Sequence, residues 1–204
     1  MKMDIDNSKH KETDSSLEKP TKTILGIDPG TNVMGYGVLE TSGNHAHLVV
    51  MGVINMKKER DPYIRLGKIL ERVTGVLNEY HPDVMAIEAP FFGKNVQSML
   101  KLGRAQGVAI AAGIHYGIQI HEYAPLKIKM AITGQGRASK EQVAGMLQHL
   151  LNIKDEEMPK FMDATDALGA AYCHFLQMST PKTGTHHYNT WKDFLIKNKD
   201  RITD

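Results

Sequence analysis

Apolar and polar residues alternate or run together in short blocks near the start of the chain, then recur at three- and four-residue steps further along. Thr23 to Asp28 is a short apolar run that ends at the turn signal Pro29-Gly30. Val33 to Glu40 and His47 to Asn55 read as two more strands, separated by Ser42-Gly43-Asn44. Three strands so close together predict an antiparallel meander. Asp61-Pro62 then opens a helix, with Asp as N-cap and Pro in the first turn. Leu66, Ile69, Leu70, Val73, Val76, Leu77 and Tyr80 give that helix one apolar face, and His81-Pro82 ends it.

Val84 to Glu88 reads as a short buried strand. A second helix is expected over Asn95 to about His115, with Gly103, Gly107 and Ala111 as a small-residue stripe suited to close packing on the sheet or on a partner chain. Ile118 to Tyr123 is a fifth strand, followed by a short helix around Pro125 to Ile132 and the loop Thr133 to Ala138. Ser139 with Gln142 predicts a capping box for the helix bearing Val143, Met146, Leu147, Leu150 and Leu151. The last helix is expected from about Met162 to Met178, its apolar face built from Ala164, Ala167, Leu168, Ala171 and Phe175. Three strands, helix, strand, helix, strand and further helices imply an α/β fold, a five-stranded mixed sheet flanked by helices.

Composition sets the limits. The chain has 204 residues, 41% apolar and 24% charged, enough for one domain with a core. Residues 1–22 carry five basic and five acidic side chains and few apolar ones, and read as a disordered leader. The ordered body is expected over 23–178 as a single domain, and 179–204 reads as a flexible tail in which Trp191, Phe194, Leu195 and Ile196 offer one docking turn. No apolar run reaches the roughly 20 residues of a membrane span. The polar start does not fit a secretory signal. The single Cys173 excludes an internal disulfide and a multi-cysteine metal site, so the default compartment is the cytoplasm. The net charge of +2 is unevenly spread: Ala89 to Lys140 holds seven basic residues against Glu122 alone. Either this is a polyanion-binding side or the lysines are scattered and solvated; charge alone weighs the two equally.

Three acidic positions stand where the local pattern calls for apolar residues. Asp28 closes one apolar strand and Glu88 another, while Asp163 and Asp166 lie three apart at the start of an alanine-rich helix. A carboxylate at the end of a buried strand must be hydrogen-bonded, protonated or neutralised by a cation. If the four converge, they form a site of hard oxygen donors suited to magnesium or manganese. Two such ions about 4 Å apart could clamp a scissile phosphate. The ten histidines show no spacing suited to zinc; His45 and His47 are better read as an exposed pair.

The residues Ile24-Leu-Gly-Ile-Asp-Pro-Gly-Thr31 with Gly35-Tyr-Gly37, Ala86-Ile-Glu-Ala-Pro-Phe91, Lys94-Asn95, Leu100 to Gly107, Glu122-Tyr-Ala-Pro125, Lys129, Ser139-Lys140 and Asp163-Ala-Thr-Asp-Ala-Leu168 resemble, in order, the RuvC-type Holliday-junction resolvases. The resemblance covers about residues 23 to 178. It implies an RNase H-like fold, a homodimer and magnesium-dependent paired nicking of four-way DNA junctions in recombination and repair, with manganese as a substitute ion. A branch-migration motor complex is the implied protein partner. Carried over by position, Asp28, Glu88, Asp163 and Asp166 are the implied catalytic metal ligands, with Lys140 assisting. Phe91, Lys94, Lys129, Arg137 and Lys140 are the implied DNA contacts, Phe91 acting on unstacked bases at the crossover. The helix with Gly103 and Gly107 matches the dimer-forming region. Arg104-Ala-Gln106 inverts the Gln-Ala-Arg order of many members. Two alternatives differ in class. Gly26 to Thr31 also resembles the phosphate loop of actin-like ATPases, although 204 residues cannot house their paired domains. A non-cleaving junction binder is the other, disfavoured because such a protein gains nothing from acids facing phosphates.

Overall fold

The computed structural model describes residues 21–90 and 95–179. The expected leader and tail therefore lie outside the described residues except at their inner edges, and so do Phe91 and Lys94. Strands β1 (Lys22–Asp28), β2 (Val33–Ser42) and β3 (His45–Asn55) form the antiparallel meander. The β2 and β3 strands run further toward each other than the apolar pattern indicates and meet at a tight turn. Gly43 there has φ of +60°, a left-handed conformation that glycine adopts without strain. Strand β4 (Val84–Glu88) pairs in parallel with β1, and β5 (Gln119–Tyr123) in parallel with β4. The sheet order is β3-β2-β1-β4-β5, the five-stranded mixed sheet that the sequence pattern predicts.

Helices α1 (Pro62–Tyr80) and α2 (Val96–His115) cover one face. Helices α3 (Pro125–Thr133), α4 (Lys140–Leu150) and α5 (Met162–Ser179) cover the other. Alternate residues of each central strand enter opposite cores, as the two-residue period of a strand requires. Leu25, Ile27, Met85 and Ile87 pack with Ile69, Val73 and Leu77 of α1. Ile24, Val84 and Ala86 pack with Leu147 of α4 and Leu168 and Ala171 of α5. The local start signals act as their chemistry demands. The Asp61 carboxylate accepts from the backbone N–H groups of Tyr63 and Ile64, and Ser139 and Gln142 form the reciprocal box at the head of α4.

One of the two packing partners open to the small-residue stripe of α2 is removed. The stripe Gly103, Gly107 and Ala111 does not pack on the sheet. Ala105, Ala109, Ala112 and Gly113 face the sheet instead, and a side chain added at Gly103 or Gly107 would meet open space. The reason is angular: residues 105, 109 and 112 form one face of α2, and 103, 107 and 111 fall on another.

The close approach occurs under α5. A Cβ on Gly26 would run into the carbonyl oxygen of Ala167, and one on Gly35 into that of Asp163. These glycines let α5 lie directly against β1 and β2, which brings its acidic first turns over the end of the sheet.

Candidate active site

Asp28 and Glu88 are the last residues of β1 and β4. Because these strands are parallel neighbours with Ile27 paired to Ile87, the two carboxylates leave the sheet side by side at its carboxyl edge. Ligand sites of open α/β sheets form in this position. α5 supplies Asp163 and Asp166 from above, three residues apart on one helical face. Segments separated by more than a hundred residues thus bring four acids to one edge of the sheet, where they act on one another electrostatically.

The electrostatics record how close they are. Burial pushes the Asp28 carboxyl up to about 8, and repulsion from Glu88, then Asp166 and Asp163, adds to it, with Lys140 pulling the other way. Glu88 is pushed up to about 7, again by burial first and then by Asp166, against Lys140 and Lys129. Among the described residues the one direct counter-charge is the Lys140 ammonium, which donates to Asp166 Oδ2. Burial works against that ammonium. Its hydrogen bond to Asp166 and the charges of Asp166, Asp28 and Asp163 outweigh burial and hold its pKa above the ordinary lysine value.

Glu88, Lys129, Lys140 and Asp166 line one cavity of about 530 Å³, closed on its far side by Pro125, Leu126 and Val143. Lys129 Nζ donates to the Ala138 carbonyl at 2.7 Å and so braces the loop before α4. Arg137 projects from that loop, exposed, and does not line the cavity. His47 pairs with Glu40 at 2.9 Å on the outer part of the sheet, away from the acids, as an exposed pair.

No group of three or more acidic, histidine or cysteine side chains among the described residues is closed up into a ready coordination shell. The donor set nevertheless fits a hard divalent cation: carboxylate oxygens only, partly dehydrated and under-neutralised, with a lysine supplying the partial compensation. Zinc would call for nitrogen or sulfur ligands, which the pocket lacks.

Two supporting residues have little sequence signal. Arg65 donates from Nε to the Glu59 carbonyl at 2.7 Å and from Nη1 to the Thr31 carbonyl and Asn32 Oδ1 at 3.2 and 2.7 Å. It ties α1 to the loop that follows Asp28. Gln106 Nε2 donates to the Glu88 carbonyl at 3.4 Å and ties α2 to the end of β4. Gln106 is a buried polar residue on an otherwise small, apolar face of α2, and that misfit is the one signal that could have marked it.

A family model described as crossover junction endodeoxyribonuclease RuvC matches residues 24–174. The crossover junction endodeoxyribonuclease RuvC of Bacteroides fragilis is 61% identical over 181 residues, which is 89% of this chain and 96% of the relative. That of Geobacter sulfurreducens is 44% identical over 151 residues, 74% of this chain and 90% of the relative. Thermus thermophilus RuvC, solved in complex with a Holliday junction substrate, aligns with a TM-score of 0.72 at 31% identity, over 78% of this chain and 95% of that one. The yeast mitochondrial Holliday junction resolvase aligns with a TM-score of 0.53 at 14% identity, over 80% and 85%, a likeness of fold alone.

Proposed function

The chain belongs to the RuvC family of crossover junction endodeoxyribonucleases, and from that premise we propose that Asp28, Glu88, Asp163 and Asp166 form its hydrolytic centre for four-way DNA junctions. The observation that carries this reading is the convergence of the four carboxylates at one sheet edge, beside a cavity that also holds Lys129 and Lys140.

The family is divalent-metal dependent, and we take magnesium, with manganese as a substitute, to be the ion held by these four acids, two per site. When bound, the ions would activate water and stabilise the leaving oxygen. The protein's own contribution is positional. β1 and β4 fix Asp28 and Glu88 as adjacent donors, and the glycine contact under α5 fixes the other two. An unneutralised acidic cluster would repel a phosphodiester; the cations that enter it reverse that repulsion. Lys140 holds the acids together in the metal-free chain and, with substrate present, donates to the phosphate as negative charge develops. Lys129 keeps the Ala138 loop, and with it Arg137, at the mouth of the cavity as a DNA contact. Phe91 and Lys94 are assigned to the DNA on sequence grounds, lying outside the described residues.

A second copy of the chain completes the proposed enzyme. The outer face of α2 presents Val96, Leu100 and Ile114 with Gly103 and Gly107 between them, exposed among the described residues. Pairing through this face would place two centres about a two-fold axis, matching the approximate two-fold symmetry of a junction. The proposed setting is the cytoplasm, beside a branch-migration motor. No helix among the described residues is long and apolar enough to cross a membrane.

The test is incubation with a synthetic four-way junction and with linear duplex of the same sequence, with and without magnesium. Paired nicks are expected in the junction, only with the ion. Glu88→Gln is expected to abolish nicking and keep junction affinity within about threefold, since it removes a ligand and not a phosphate contact. A junction bound tightly but uncut in magnesium and in manganese would make the protein an architectural binder instead.

A further inference from the structure

A second cavity lies on the opposite side of the sheet from α5. It is about 260 Å³, set between the start of α1 and the first half of α2, and its floor is apolar, from Pro62, Leu66, Ile69 and Ala105. Four cations line it: Arg60, Arg65, Lys101 and Arg104. No carboxylate among the described residues lines it. The nearby acids along the chain are committed elsewhere: Asp61 caps α1, and Glu59 pairs with Lys68 at 2.5 Å. Arg65 is braced by Glu59, Thr31 and Asn32, and no ion pair engages Arg60, Lys101 or Arg104 among the described residues. Four like charges around one cleft repel one another, and an anion that entered would relieve them all at once.

Both walls of this cleft connect to the acidic pocket. Thr31 lies three residues beyond Asp28 and contributes to the cleft lining, while Arg65 grips its carbonyl. On the other wall, Ala105 lines the cleft and its neighbour Gln106 holds the Glu88 backbone. The cleft is therefore joined to the carboxylate edge of the sheet through the β1–β2 loop at Thr31 and through Gln106 at the end of β4. Tyr63, 73% exposed, stands at its rim. Lys101 and Arg104 are three apart and face α1, apart from the stripe of Gly103 and Gly107.

We propose that this cleft binds the phosphodiester backbone of the junction strand flanking the phosphate that is cut, with Arg60, Lys101 and Arg104 as the phosphate contacts. The inference rests on the functional reading above and adds a binding surface to it. The continuity with the acidic pocket selects DNA backbone over a free anion: a strand seated on the carboxylates has further phosphates on either side, and these cations are the unpaired ones beside the β1–β2 loop. Contacts of this kind hold register and orientation and carry no sequence preference.

The experiment measures binding of a synthetic junction by fluorescence anisotropy in EDTA, from 50 to 200 mM salt, for the full chain. Lys101→Ala/Arg104→Ala is expected to weaken binding by about tenfold or more and to flatten the slope of log affinity against log salt by about 2, close to one per lost phosphate contact. Arg60→Ala/Arg104→Ala, which alters both walls, is expected to do the same. Arg65 is left intact because it braces the loop after Asp28. Arg72→Ala/Lys154→Ala, removing two exposed cations outside the cleft, is expected to bind as the unaltered chain does. Each variant is checked for an unchanged melting curve. Affinity and slope equal to the unaltered chain in both cleft variants, or an equal loss in the Arg72/Lys154 control, overturns the cleft. If the unaltered chain shows no preference for junction over duplex, it is the functional reading that fails, independently of how the cleft variants rank.

Discussion

Replacing Asp28 by Asn should make the metal-free protein more stable at neutral pH, even though it destroys the centre. The folded-state pKa of Asp28 is raised from 3.8 to about 8. At pH 7 the unfolded chain has released this proton and the folded chain still holds it, so folding works against about three pH units of ionisation. At about 1.4 kcal/mol per unit this is about 4 kcal/mol. Part of it is shared with Glu88, whose charge is one of its causes, and part is relieved by Lys140. The gain expected from Asn is therefore about 2–4 kcal/mol, or about 4–16 °C in Tm for a chain of this size. The sign follows from the direction of the shift. A carboxyl whose folded pKa is raised contributes full stability below about pH 4 and loses it progressively as pH rises toward 8. Asparagine has no such loss. The difference between variant and parent should be near zero at pH 4, grow through pH 7 and level off above pH 8. Urea or thermal unfolding in EDTA across pH 4–9 measures it. Magnesium should narrow the gap by stabilising the parent alone, in proportion to RT ln(1 + [L]/Kd). A difference that does not vary with pH, or a parent more stable than the variant at pH 8, would falsify the claim that these acids are crowded and under-neutralised.

Gly35→Ala is expected to destabilise the fold by at least about 2 kcal/mol, because its Cβ meets the Asp163 backbone, which cannot yield as a flexible side chain would. Gly67→Ala, where nothing stands within 4 Å, should be neutral or slightly stabilising, and equal unfolding midpoints for the two would remove the close-approach argument. The full chain should be dimeric by light scattering at micromolar concentration. Gly107→Arg should shift it to monomer while leaving its melting curve in place, since that position faces outward; a dimer unaffected by the arginine would move the interface off α2.

Much of this molecule was legible in its residues. The caps at Asp61 and Ser139 are exchanges between side chains and backbone a few positions away, so they announce the starts of α1 and α4 without reference to the rest of the fold. Strand alternation and helical spacing likewise report which residues are buried. Asp28 and Glu88 were conspicuous because a carboxylate ending a buried strand conflicts with its surroundings, and Asp163 and Asp166 because they open an alanine-rich helix. The Gly103–Gly107 stripe left its packing partner open between the sheet and a second chain, since spacing reveals that residues share a face but not which way the face points.

What the chain decided alone, then, was its elements, their ends and the chemistry it carries, because those depend on neighbours within a few residues. The tertiary structure decided which side of α2 meets the sheet, that Lys140 leans on Asp166, how closely Gly26 and Gly35 let α5 approach, and that Arg60 and Arg104 share a cleft. Each of these joins segments from 26 to more than 100 residues apart or depends on the packing of whole elements. Such distances are set when two hydrophobic cores close on opposite faces of one sheet, and no local pattern carries them.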